Sequence, residues 1–105
     1  MTTLEKIKRL EEYIIINNSI VDSVIETTIN KLLVREFEKI SDIKERLLND
    51  VTQFENQYSL KSALFYNKYE KGELGDSIDF VEWASTIEML NNIEKQYQLL
   101  ESSIK

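Results

Sequence analysis

The chain contains no cysteine, no histidine and no proline, and only two of its 105 residues are glycine. Each absence removes a class of chemistry. Without cysteine there is no disulfide framework, no thiolate nucleophile and no iron–sulfur ligand. Without histidine, Ser-His triads and the usual zinc and haem ligands fall away. Neither G-x-x-x-x-G-K-[ST] nor G-x-G-x-x-G occurs, so the glycine-dependent phosphate loops are missing as well. No apolar run approaches the ~20 residues of a membrane-spanning helix. The start, MTTLEKIKRLEEYIII, is charged and periodic where a signal peptide has an apolar block and a small-residue cleavage site. Carboxylates, lysines, tyrosines and hydroxyls remain for catalysis, and no nucleophile stands beside an evident base. The expectation is a cytoplasmic, non-enzymatic protein with no cofactor and no metal.

What is there points to a folded helical chain. Thirteen basic and nineteen acidic side chains leave a net charge of −6, while an apolar share of 42% exceeds what a disordered chain carries. The length fits one domain, able to bury roughly 65% of its unfolded surface. The first 71 residues hold neither glycine nor proline, and apolar positions recur at helical spacing through Leu4, Ile7, Leu10, Ile14, Val21, Val24, Ile25 and Leu32. From Leu33 the steps alternate four and three: Leu33, Phe37, Ile40, Lys44, Leu47, Val51, Phe54, Tyr58. That is a heptad seam interrupted by one lysine. As one unbroken helix, residues 3–57 would reach ~80 Å and could not bury the stripe against itself. It must pair with another chain or fold back as a hairpin.

Two places could bend this helix. Asn17-Asn18-Ser19 lies between β-branched residues and could form a short hairpin within residues 14–25, but the apolar residues there fit the helical stripe, so helix is preferred. Asp42 and Glu45 could form a capping box, yet the seam runs through them undisturbed. A shorter helix is expected from a Ser59 cap to Lys71, ended by Gly72 in the left-handed conformation. Leu74-Gly75 turns the chain. Asp76 or Ser77 caps a final helix with the stripe Phe80, Trp83, Ile87, Leu90, Ile93, Tyr97, Leu100 and Ile104. The fold class is therefore all-α: a long N-terminal coiled-coil-like helix, a short helix, a glycine-containing turn and a C-terminal helix, in an oligomer. Residues 1–105 form a single helical domain, with 1–57 as the oligomerisation helix and 58–105 as the corner that binds a partner.

Residues 65–83, FYNKYEKGELGDSIDFVEW, gather both glycines, the only tryptophan and a cluster of acids. Read plainly, this is a helix–turn–helix corner: glycines for the bend, acids at the helix start, aromatics in a core. Read as a site, it is a recognition surface in which Tyr69, Phe80 and Trp83 anchor a partner and Glu73, Asp76, Asp79 and Glu82 form an acidic rim selecting a basic one. A cation site at Asp76, Asp79 and Glu82 is disfavoured because no calcium-loop pattern is present. The basic residues are interleaved with acids and form no stripe for nucleic acid.

The pattern FYxxYxxGELGDxxDFxEW resembles a stretch of small helical proteins from prokaryotic toxin–antitoxin gene pairs. The matching residues are Phe65 or Tyr66, Tyr69, Gly72, Glu73, Gly75, Asp76, Asp79, Phe80, Glu82 and Trp83. The likeness spans roughly residues 54–100, and the first 50 residues share only a generic apolar-periodic helix. The resemblance implies an antitoxin-like inhibitor that binds a cognate toxin, such as a basic ribonuclease, as a homodimer or higher homo-oligomer, without direct nucleic-acid or membrane binding. The competing expectation is a structural coiled-coil adaptor with no toxin partner.

Overall fold

The computed structural model describes residues 1–104. Every regular element among them is an α-helix: α1 (Thr3–Ile16), α2 (Ser23–Tyr58), α3 (Ser62–Glu70) and α4 (Ile78–Ile104). The chain divides into two compact units, Met1–Leu32 and Leu33–Lys105, with the boundary inside α2.

In the first unit, α1 opens on a capping box. The Thr2 hydroxyl accepts the Glu5 N–H at 3.1 Å, and the Glu5 carboxylate reaches back to the Thr2 N–H at 3.4 Å. The helix ends where Asn18 and Ser19 turn left-handed, both with φ 60°. The N–H of Asn18 bonds the carbonyl of Ile15 at 3.1 Å, and that of Ser19 bonds Ile14 at 2.8 Å, the two bonds of a Schellman end. Asp22 then starts α2 by accepting the Ile25 N–H on its carboxylate at 2.8 Å. The unbroken helix expected over residues 3–57 is thus interrupted between Ile16 and Ser23, and the interruption is not a strand hairpin. The apolar periodicity continues across the break and hides it. Asparagine's tolerance of the left-handed region and aspartate's capping strength decide the matter locally. None of residues 1–32 is buried; only Ile14 and Ile25 are even half-buried.

In the second unit the heptad seam is consumed inside the chain. Ile40, Leu47 and Val51 are buried, and Leu33, Phe37, Lys44, Phe54 and Tyr58 are half-buried. Their partners lie on α4: Phe37 meets Tyr97 with ring centroids 5.0 Å apart, Lys44 bonds Glu94 at 2.8 Å, Phe54 faces Trp83 at 5.6 Å and Tyr58 meets Phe80 at 5.2 Å. As the residue number rises along α2 it falls along α4, so the two helices run antiparallel. The fold-back alternative is the one realised for this seam. The seam lysine is accommodated by a carboxylate at its tip and by the Tyr97 ring, whose centroid lies 3.9 Å from the ammonium.

The helix α3 packs against α4 at the end of this hairpin where the chain turns back. Ser59, expected as its cap, instead adopts φ 50° and ends α2, where the Leu60 N–H reaches the Glu55 carbonyl at 3.2 Å. The first N–H of α3, on Ser62, is met by the Glu55 carboxylate from the last turns of α2 at 2.8 Å. At its other end Gly72, with φ 74°, forms a second Schellman end: its own N–H bonds Tyr69 at 3.0 Å and the Glu73 N–H bonds Lys68 at 3.0 Å. Ser77 caps α4, accepting the Phe80 N–H at 3.3 Å.

Candidate functional site

The corner at residues 65–83 is built around two fully buried rings. Phe65 and Trp83 stack face to face with centroids 3.8 Å apart and planes 4° from parallel. Phe54, Tyr58, Tyr69 and Phe80 pack around them, so that α2, α3 and α4 all contribute. The Trp83 indole N–H would be an unsatisfied donor in such a core; it donates to the Ser62 hydroxyl at 3.0 Å. Ser62 in turn serves the Glu55 carboxylate through both its N–H and its hydroxyl, and these bonds hold the Glu55 carboxyl below the usual carboxylate range. A line of hydrogen bonds therefore runs from Trp83 through Ser62 to Glu55 and ties the three helices together.

The sequence-predicted partner residues separate into two groups. Trp83 has no exposed surface, and Tyr69 and Phe80 are half-buried in the same cluster. Trp83 is therefore a core residue rather than an exposed anchor, because its neighbours on three helices enclose both ring faces. The acids Glu73, Asp76 and Glu82 stand exposed, as the rim required. Asp79 is half-buried and bound within the chain: the Tyr58 hydroxyl and, at 3.4 Å, the Gln57 side-chain amide both donate to it. The first of these bonds favours the neutral phenol and raises the Tyr58 pKa. Tyr66 donates to Glu88 at 2.8 Å, and this bond pushes its pKa up to about 12. Among the described residues no three carboxylates gather into a group able to hold a metal ion.

A feature that sequence reasoning missed lies beside Glu82. An open groove of about 500 Å³ runs between α2 and α4, lined by those two helices only. Phe54, Val81 and Met89 give it apolar side chains, Gln57 and Ser85 give it polar ones, and Asp50 and Glu82 place carboxylates on opposite helices. Val81 and Met89 are 42% and 50% exposed. The signal in the sequence was faint: Ser85 and Thr86, two short side chains within the α4 pattern, are the α4 residues that line it between Glu82 and Met89. The second unit also holds most of the charge, with fourteen acids against nine bases in residues 33–105.

No family model matches the chain, and neither a curated protein nor a solved structure matches it.

Proposed function

We propose that this protein is a non-enzymatic binding module, an antitoxin-like inhibitor that captures a small basic protein, as the resemblance of residues 65–83 implies. The observation that carries the reading is the groove between α2 and α4, which combines apolar lining residues with an acid from each helix. A protein that holds RNA phosphates must present a basic surface, and an acidic groove with a few apolar contacts is complementary to it in charge and chemistry. The acidic rim keeps its role through Glu82, Glu73 and Asp76, all exposed. The aromatic anchors are replaced by Val81 and Met89, and Trp83 acts by holding the helices that form the groove. In this reading the chain is cytoplasmic, needs no cofactor and touches no nucleic acid.

The test is co-expression with the product of the adjacent open reading frame, followed by capture on one tag and weighing of the complex. A stoichiometric complex that relieves the neighbour's toxicity is the expected result. Asp50→Lys with Glu82→Lys should weaken the complex at least tenfold while leaving helix content unchanged, since both side chains line an open groove. A harmless or non-binding neighbour would transfer the lead to the structural adaptor. That second reading is favoured by one observation of its own, the uncovered apolar side chains of residues 1–32.

A further inference from the structure

The seam that was expected to join two chains is spent on α4, yet the first unit is left with an apolar surface it does not cover. Twelve large apolar side chains in residues 1–32 are exposed, from Leu10 at 39% to Ile16 at 83%. Well-capped at both ends, α1 carries Leu4, Ile7, Leu10 and Ile14 along one stripe, with Ile15 and Ile16 widening it at the C-terminal end. Val21, just before α2, and Val24, Ile29 and Leu32 within it add to this surface. We propose that residues 1–32 are a self-association surface, on which α1 of one copy packs parallel and in register against α1 of a second copy. The proposal is independent of the groove in residues 33–105.

Two arguments commit the surface to a second copy. The first is charge. With Ile7 and Leu10 as the a and d positions of a heptad, Ile14 is the next a, and Lys6 and Glu11 fall at the flanking g and e positions. In a parallel pair, a g side chain faces the e side chain five residues further along the other helix. Lys6 then meets Glu11 of the second copy, and two-fold symmetry makes the contact twice. An antiparallel pair sets g against g and e against e, and loses both contacts. The second argument is area. A stable interface buries about 800 Å² from each partner, and twelve side chains exposed to this degree offer on the order of 700 Å² of apolar surface. The α1 stripe alone offers roughly a third of that, so the α2 residues of the same unit must take part as well.

The experiment is the mass of the full chain in solution, measured by sedimentation equilibrium at micromolar concentration. The wild type should be a dimer. Ile7→Glu with Leu10→Glu puts two good helix formers in the stripe and should give a monomer, with the emission of Trp83 unchanged because its ring is packed against Phe54, Tyr58 and Phe65. Since the chain has no cysteine, Ile7→Cys introduces its only thiol. A parallel in-register pair brings two a positions within the about 4.4–6.8 Å between Cα atoms that a disulfide spans, so mild oxidation should give a covalent dimer. A monomeric wild type, or a double variant that remains dimeric, overturns the surface. A dimer in which Ile7→Cys fails to cross-link overturns the parallel pairing. Asp50→Lys with Glu82→Lys should leave the dimer intact, which keeps this result separate from the fate of the binding groove.

Discussion

At the scale of single residues, Trp83 is, with Phe65, one of the two largest fully buried side chains among the described residues. It is fully buried, stacked on Phe65, and hydrogen-bonded to Ser62. Trp83→Ala removes that stack and leaves a cavity, and should destabilise the chain by about 3–5 kcal/mol in urea unfolding. Trp83→Phe keeps a ring against Phe65 but deletes the indole donor, and should cost about 1–2 kcal/mol. Equal losses in the two variants would show that the ring stack carries little of the stability. Lys44 teaches a different lesson. Its place in the seam was legible as an anomaly, but its partners lie fifty residues further on, in Glu94 and Tyr97. The hydrogen bond to Glu94, more than any other contact, raises the Lys44 pKa and lowers that of Glu94. A lysine at this seam position fits one register of the α2–α4 hairpin, because a shift by a turn would part it from both.

At the scale of elements, the helix ends explain where the chain turns. Among the described residues, three of the five left-handed ones, Asn18, Ser19 and Ser59, are not glycine. The left-handed region costs about 1–2 kcal/mol for a residue with a Cβ, whereas glycine carries an entropy penalty of roughly 0.5–1 kcal/mol. The first figure is the larger, so Ser59→Gly should raise stability by about 0.5 kcal/mol. Gly72→Ala should lower it by about 1 kcal/mol through backbone strain alone, since a Cβ there would meet no atom within 4 Å. Both are read from urea midpoints, and a neutral Gly72→Ala would show that the α3 end does not depend on a left-handed glycine. The Gly72 end was legible, and the cap of α4 was narrowed to Asp76 or Ser77, because glycine after a helix and aspartate or serine before one are strong local signals. The break after Ile16 was not, because its signals, Asn18 and Asp22, sit within an apolar pattern that does not pause. The cap on α3 was not either, since Glu55 lies seven residues before the N–H it serves.

At the scale of the whole molecule, charge sets the response to pH. A chain without histidine or cysteine has no ordinary side chain that titrates between pH 5 and 8, so its stability should be level across that range. Glu55 and Glu94 have carboxyls held below the ordinary value of 4.5, so their contribution is present above that pH and is lost as the pH falls through the folded values. Tyr58 and Tyr66 are raised above 10.0, and Lys44 above 10.5, so theirs is present below those values and is lost as the pH climbs, toward about 12 for Tyr66. Urea midpoints against pH should form a plateau with a fall on each side. Protonating the nineteen acids also carries the net charge from −6 through zero to +13, left by the thirteen bases, so the informative quantity on the acid side is the difference from Glu55→Gln, which should fall less steeply. An identical acid limb in the two proteins would mean that the Glu55–Ser62 bonds do not stabilise the fold.

The sequence by itself determined the class of fold, the α2 seam, the stripe on α4 and the corner at Gly72 and Gly75, because each follows from periodicity or from a conformational preference within a few residues. It also placed Glu73, Asp76 and Glu82 at the surface, where charged side chains remain unless paired. Only the tertiary structure decided what the seam packs against, since a 4–3 pattern is equally satisfied by a second chain or by α4. It alone decided that Trp83 faces inward, that Asp79 is held by Tyr58, and that Asp50 and Glu82 share a groove. Those outcomes depend on which residues meet across more than twenty positions of chain, and no local preference encodes such a meeting.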